Sequence, residues 1–556
     1  MTTTTMAAQP WLAHYDEGVP HKIDYRQITL PQILEANISN YPERTALNFM
    51  GFQLSYTEFG EMIDRFAAAL AGFGITKGDR VAVLLPNTIP CVVAYHATLK
   101  LGAVVVMNNP LYTDRELIHQ LNDSGAICLV TLDLMADRMV AIRSRTAIRQ
   151  IVYTSFKDYL PSALKTAKLV PTAEVTPADD LYPWCALLEK QTPLKEIASL
   201  SMNDMAMLQY TGGTTGLAKG AMLTHGNLSR QLQQVDAWFP VFNREQDEVM
   251  LGALPFFHVM GLTTSMNYSL YLAWSNVLIP KPQPDHLIDT IARFKPGFVS
   301  MVPTMYIGIL RHPKVDELDL SCIKGCFSGS APLPVEVINE FRSRTGTTIS
   351  EGFGLSETCP VTHINPYSGK TKIGSIGLPL PDTECRLVDL VDGVSDVPLG
   401  EAGELIVKGP QVMAGYWNRP EETAATLRDG WLYTGDIATM DSEGYFYIVD
   451  RKKDMIISGG YNVYPREIDE VFFTHPKVME ACAVGVPHPT RGEQIKVFAV
   501  LKSGETATEA EMIHFCRERL AAYKLPTMVT FCEELPKSTV GKVLRKDLRQ
   551  MATNDL

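Results

Sequence analysis

The segment YTGGTTGLAKGAMLTH, Tyr210 to His225, concentrates residues able to handle a multiply charged anion. Gly212, Gly213 and Gly216 expose backbone amides, Thr211, Thr214 and Thr215 add hydroxyls, and Lys219 brings a positive charge. A polyphosphate such as that of ATP needs this combination of many donors and a cation at close approach. A solvated Gly/Thr turn accounts for any one glycine pair but not for this density of donors ending in Lys-Gly. The usual P-loop, GxxxxGK[ST], does not fit, because Lys219 lies between Ala218 and Gly220. GKT at 369 to 371 fails too, with Ile364 where the first glycine belongs, and GFGLSE at 352 to 357 departs from the dinucleotide fingerprint at Glu357. Motor, GTPase and hydride-transfer readings lose their support.

The elements that must carry this loop are legible as apolar runs alternating with amphipathic stretches. RVAVLLP at 80 to 86, AVVVMN at 103 to 108, AICLVT at 126 to 131 and GFVSMVP at 297 to 303 read as buried strands. Between them fit helices such as Thr57 to Phe73, where Thr57 can cap and Phe59, Met62, Ile63, Phe66 and Leu70 share a face. From about Cys385 the texture changes to short strands with turns, in ECRLVD, GELIVKG and YFYIVDR. A charge run and a glycine pair follow, in RKKDMIISGGYNVYPREIDEVFF, with a helix starting near Pro465. The expected fold is α/β: a large N-terminal domain, 1–450, of doubly wound sheets plus a β-rich subdomain, then a small α+β C-terminal domain, 451–556.

Composition limits the partners. The 556-residue chain is 46% hydrophobic and 20% charged, enough for more than one core. A net charge of −12 argues against nucleic acid as a partner, since phosphate-backbone binders need a basic face. The ten cysteines make no zinc-spaced array, and the N-terminal residues lack a secretory pattern, so reduced thiols and a cytoplasmic location are expected. The longest stretch without Asp, Glu, Lys or Arg, Val249 to Pro280, is interrupted by His258, Thr263, Thr264, Ser265, Asn267 and other polar residues, and reads as protein interior rather than a membrane span.

YTGGTTGLAKG, GFGLSET, YTGD, DRKKDMIISGGYNVYPREIDE and PKSTVGK occur in this order from Tyr210 to Lys542, and together they resemble the successive motifs of the adenylate-forming enzymes. NNPLYTDRELIHQLNDSGA at 108 to 126 further resembles bacterial long-chain fatty acyl-CoA synthetases. The resemblance implies roles at matching positions. Glu357, with Thr211, would bind Mg2+. Phe353 would stack on adenine, lined by Gly329, Ser330 and Ala331. Asp436 and Arg451 would take the ribose hydroxyls. Lys542, Lys219 and His258 would stand at the reacting groups, and His258, Leu262, Gly352 and Gly354 would line the acyl pocket. Many relatives carry tyrosine at Phe353, and some carry a gating tryptophan where this chain has Leu262. The C-terminal domain would be mobile, turning about Lys453 to bring the Ser458, Gly459, Gly460, Tyr461 loop to the CoA side.

The implied reaction joins a fatty acid to coenzyme A through an acyl-adenylate, with ATP, CoA and the acid as substrates. A medium-chain or aryl-acid ligase and a stand-alone adenylation domain remain alternatives; the last would need a pocket carboxylate for an amino group, and the stretch around His258 has none. A catalytically dead lipid-binding relative is a rival of another class, yet each polar position named above is present. Transient association with the inner membrane surface and a homodimer are both compatible with the sequence.

Overall fold

The computed structural model describes residues 9–165, 170–211, 218–331, 333–458, 461–488, 492–538 and 543–554. They group into two compact units. The larger comprises His14–Glu384 and Lys408–Leu432, and the smaller Cys385–Val407, Tyr433–Leu556 and the segment ending at Ala13.

Among the described residues, the larger unit contains a seven-stranded and a nine-stranded sheet. In the first, Leu181–Pro183, Gln150–Thr154, Cys128–Leu132, Arg80–Leu84, Val104–Met107 and Met205–Thr211 lie side by side in parallel. Lys219–Thr224 closes this sheet, antiparallel to Met205–Thr211. In the second, a parallel centre that includes Val249–Gly252, Phe298–Met301, Gly325–Ser328 and Ile349–Gly354 is flanked by antiparallel strands at both edges. The strands expected from the apolar runs are all present, and Val81 to Leu84 and Val104 to Met107 are buried throughout, as central parallel strands covered on both faces must be.

The expected cap at Thr57 is corrected. The helix runs Tyr56–Gly72, and its N-cap is Ser55, whose hydroxyl accepts from Glu58 N at 3.2 Å while the Glu58 carboxylate accepts from Ser55 N at 2.8 Å. This reciprocal pair satisfies two orphan amides, whereas Thr57 donates to Pro42 O. The chargeless stretch folds as strand Val249–Gly252, helical turns from Val259 to Tyr271 and strand Ser275–Leu278. Its polar groups bond inside the protein, as with Thr264 to Ser300 at 2.7 Å and Asn276 to Ser269 at 3.0 Å. Among the described residues no helix is long and apolar enough to cross a membrane.

In the smaller unit, Asp436 to Met440, the end of the strand Trp431–Met440, pair with Phe446–Arg451 as an antiparallel hairpin in one sheet. A second sheet pairs Val478–His488 with Gly492–Leu501 and adds Met528–Phe531 in parallel. The helices Pro465–Phe473, Glu509–Arg517 and Arg545–Asn554 complete the α+β arrangement. Cys385–Val407 and the hairpin therefore group with the C-terminal residues by contact.

Three histidines make stability acid-sensitive. Burial holds His96 and His363 down to about 3 and His225 down to about 4, and the ring nitrogens of His96 and His225 have no hydrogen-bond partner among the described residues. The unfolded chain takes up these protons below about pH 6.5 while the folded chain does not, so stability falls as pH drops from there, by about 1.4 kcal/mol per pH unit for each histidine. Thermal midpoints measured from pH 7 to 5 should decline, and His96→Phe should flatten the decline. An unaltered slope in that variant would remove His96 from the account.

Candidate active site

Thr211 and Lys219 face each other across the last pair of the Met205–Thr211/Lys219–Thr224 ladder. Gly212, Gly213, Thr214, Thr215 and Gly216, which join them, lie outside the described residues. A third segment runs along the far edge of Lys219–Thr224, with Trp417 N donating to Gly220 O at 2.8 Å and Met222 N to Gly415 O at 2.8 Å. This pairing aims Tyr416 at the site. The Lys219 ammonium lies 4.9 Å from the centre of the Tyr416 ring, and the Tyr416 hydroxyl donates to Glu357 Oε1 at 2.6 Å. Burial and the adjoining Glu357 push the phenol pKa up, which keeps it a donor. Met413 N also donates to Glu357 O at 2.8 Å, fixing the turn Ser356–Thr358.

Lysine, phenol and carboxylate thus converge beside Thr211. The donor set suits a hard cation that arrives with phosphates: one carboxylate and one hydroxyl offer oxygens, and the described residues contain no cluster of three or more His, Cys, Asp or Glu that could enclose an ion alone.

Met260 draws the residues expected at the adenine and acyl positions together. The Ser330 hydroxyl lies 3.2 Å from Met260 Sδ, and a Cβ on Gly329 would come 3.1 Å from Met260 Cε and 3.4 Å from Gly352 O. His258 caps the turn Val259–Gly261, its Nδ1 accepting from Met260 N at 3.3 Å. Phe353 pairs with His363 across Ile349–Gly354 and Val361–Ile364, with ring centres 6.1 Å apart, and is only partly buried. Ala331 is exposed. Gly352 and Gly354 have a packing reason for lacking a side chain: a Cβ would stand 2.5 Å from the Phe327 ring at the first and 1.7 Å from Pro360 O at the second. Leu262 is fully buried and opens the π-helical turn Leu262–Asn267, a geometry found often at functional sites.

In the smaller unit, Asp436 and Arg451 are partners in the hairpin, with Arg451 Nε 3.2 Å from Asp436 Oδ1 and the aspartate 3% exposed. A cavity of about 330 Å³ beside them is lined by Thr434, Gly435, Arg451, Lys452 and Lys453. Arg549 donates to Lys453 O at 3.3 Å and ion-pairs with Asp454, tying the expected pivot to the C-terminal helix. Ser458 is buried opposite Tyr461, and Tyr461 is exposed and stacked on Tyr523 with ring centres 4.6 Å apart. Gly459, Gly460 and Lys542 lie outside the described residues.

Comparison with known families matches residues 34–417 to "AMP-binding enzyme" and 467–542 to "AMP-binding enzyme C-terminal domain". The chain belongs to the AMP-binding enzyme family. It is 45% identical to a long-chain-fatty-acid–CoA ligase of Bacillus subtilis (strain 168), over 98% of this chain and 99% of that protein. It is 40% identical to one from Escherichia coli O6:H1, over 98% of each. The structure of ATP-bound MatB from Rhodopseudomonas palustris superimposes with a TM-score of 0.85 at 31% identity, covering 95% of this chain and 100% of that one.

In this AMP-binding enzyme two further kinds of residue shape the site, and motif reading passed them over. Tyr416 lies in AGYWNRP, which reads as a turn aromatic, and only the fold shows that it joins Lys219 to Glu357. Asn87, in the LLPNT turn, ties down the segment before His258 with three side-chain hydrogen bonds. Its Nδ2 donates to Gly252 O at 2.9 Å and Leu254 O at 2.8 Å, and its Oδ1 accepts from Phe256 N at 2.9 Å. Asparagine in a Pro-Asn turn gives no hint of that reach.

Proposed function

We propose that this AMP-binding enzyme joins a long-chain fatty acid to coenzyme A, turning ATP, acid and CoA into acyl-CoA, AMP and diphosphate. It is an acid–thiol ligase. The observation that carries the reading is the convergence of Lys219, Tyr416 and Glu357 beside Thr211, which suits phosphates rather than an acyl nucleophile. A carboxylate is a poor acyl donor because its leaving group would be oxide. Attack of its oxygen on the α-phosphate releases diphosphate and gives the acyl-adenylate, and attack of the CoA sulfur on the activated carbonyl then releases AMP. No covalent enzyme nucleophile is needed.

The assigned roles follow the chemistry of each group. Lys219 and Lys542 offset negative charge that builds up during adenylation. Thr211 and Glu357 hold Mg2+, which when bound neutralises phosphate charge. Phe353 supplies a face for adenine beside Gly329, Ser330 and Ala331, and Asp436 and Arg451 take the ribose. His258 marks the carboxylate end of the acyl site, with Leu262, Gly352 and Gly354 along it. Lys453 is the pivot of a C-terminal domain spanning 451–556, and Ser458 to Tyr461 face CoA. A cytoplasmic enzyme that visits the inner membrane surface would meet its apolar substrate there, and a homodimer is compatible with these roles.

ATP–pyrophosphate exchange tests the reading. Palmitate should drive exchange strongly, with benzoate and an amino acid weak. Exchange driven by benzoate and not by palmitate would replace the fatty acid with an aryl acid.

Leu262 offers a second test, since a larger side chain at this buried position should occlude an acyl tunnel passing it. Leu262→Trp should shorten the preferred acid, the added bulk at this fully buried position also lowering stability by about 1–3 kcal/mol. A chain-length profile identical to that of the unsubstituted enzyme would put the tunnel elsewhere.

A further inference from the structure

The motif at 108 to 126 has no part in the roles above, yet its helix, Asp114–Ser124, reaches both stems of the phosphate hairpin. On the incoming stem, the Tyr210 hydroxyl donates to Asp123 Oδ2 at 2.7 Å. On the outgoing stem, His119 Nε2 lies 3.1 Å from Ala218 O. The other carboxylate oxygen of Asp123 accepts from Arg419 Nη2 at 2.9 Å, and its backbone carbonyl accepts from Trp417 Nε1 at 3.0 Å. Tyr416, which touches Lys219 and Glu357, is the residue preceding Trp417.

We infer that Asp123 is a positioning residue for adenylation: one carboxylate, its side chain 9% exposed, locks the strand entering the phosphate loop to the segment that places Tyr416 between Lys219 and Glu357. The inference rests on the phosphate-loop reading. Its physical content is register. Tyr210 pairs with Gly220 across the hairpin, and a Cβ on Gly220 would come 3.2 Å from the Tyr210 ring, so the phenol held by Asp123 also sets how closely the two stems approach. A charge-assisted bond on each carboxylate oxygen gives little freedom to any member of the set. Loss of Asp123 lets Lys219 and Glu357 drift from a common geometry, and displacements of about 1 Å are costly where charge must be met in place. His119 supports the same arrangement from the opposite stem.

The two half-reactions separate this role from simple support of the fold. Asp123→Ala should lower the adenylation rate about thirtyfold, measured by ATP–pyrophosphate exchange, and raise the KM for ATP. Thioester formation from supplied acyl-adenylate should stay within threefold. Tyr210→Phe, which keeps the ring, should lower adenylation about fivefold, and the double variant should be no slower than Asp123→Ala within twofold, because both changes remove the same bond. Equal losses in both half-reactions, or full multiplication of the two single effects, would overturn the inference. If Asp123→Ala does not fold, Tyr210→Phe and Arg419→Gln decide by the same split, and no change in adenylation in both overturns it. Lys219→Ala run alongside keeps the layers apart. Normal exchange in that variant sinks the phosphate-loop reading, whereas its loss together with normal exchange in Asp123→Ala and Tyr210→Phe sinks this inference alone.

Discussion

Glu357→Ala should lower ATP–pyrophosphate exchange by about a hundredfold at low magnesium, about 2.7 kcal/mol of transition-state stabilisation. The size follows from scarcity. Mg2+ keeps several waters and takes few protein oxygens, so Glu357 is a large part of what this chain can offer beside Thr211. Raising magnesium should restore part of the rate, since mass action compensates for a weakened site but not for lost orientation. Tyr416→Phe provides a graded comparison. It keeps the ring 4.9 Å from the Lys219 ammonium and removes only the hydroxyl that fixes Glu357 Oε1 at 2.6 Å, so a loss of about tenfold is expected. Exchange equal to the unsubstituted enzyme at low magnesium in Glu357→Ala would take the metal away from this residue.

The contrast between Glu357 and Tyr416 shows what the amino-acid sequence reveals and what it hides. Glu357 is legible because GFGLSET is a dense local pattern, as is the donor-rich run around Lys219. The hydroxyl that orients Glu357 comes from 59 residues away, and the arginine on Asp123 from 296 residues away, on segments whose local chemistry is that of ordinary turns. Local pattern reports what a segment needs from its neighbours, such as burial for the Val81 to Leu84 strand, without naming the neighbour. The same limit explains the cap at Tyr56–Gly72. Ser55 and Thr57 are both competent, and the choice falls to Ser55 because Glu58 completes its reciprocal pair while Pro42 O draws the Thr57 hydroxyl away. Gly352 and Gly354 carry a related lesson: the packing against Phe327 and Pro360 O requires glycine at both whether or not acyl chains pass nearby.

Lys453→Pro and Lys542→Ala should fail in opposite half-reactions. If the C-terminal domain turns about Lys453, the pivot needs a φ that can change, and proline holds φ near −65° while pushing the preceding Lys452 toward extended backbone. Main-chain bonding around the pivot is carried by its neighbours: Lys452 N donates to Gly435 O at 2.9 Å and Asp454 N to Arg451 O at 2.9 Å, while Lys453 O accepts from Arg549. Proline keeps these partners but strains the Arg451–Asp454 turn through Lys452, so its effect on rotation is read alongside its effect on stability. Adenylation should stay within a few-fold, and thioester formation from supplied acyl-adenylate should fall about a hundredfold. Lys542→Ala removes a charge needed only while the α-phosphate is attacked, so exchange should fall by about a hundredfold or more and thioester formation should persist. Thermal unfolding of both proteins separates these effects from misfolding. If both variants stay folded and lose both half-reactions equally, a turning domain is not how this enzyme alternates between its two chemistries.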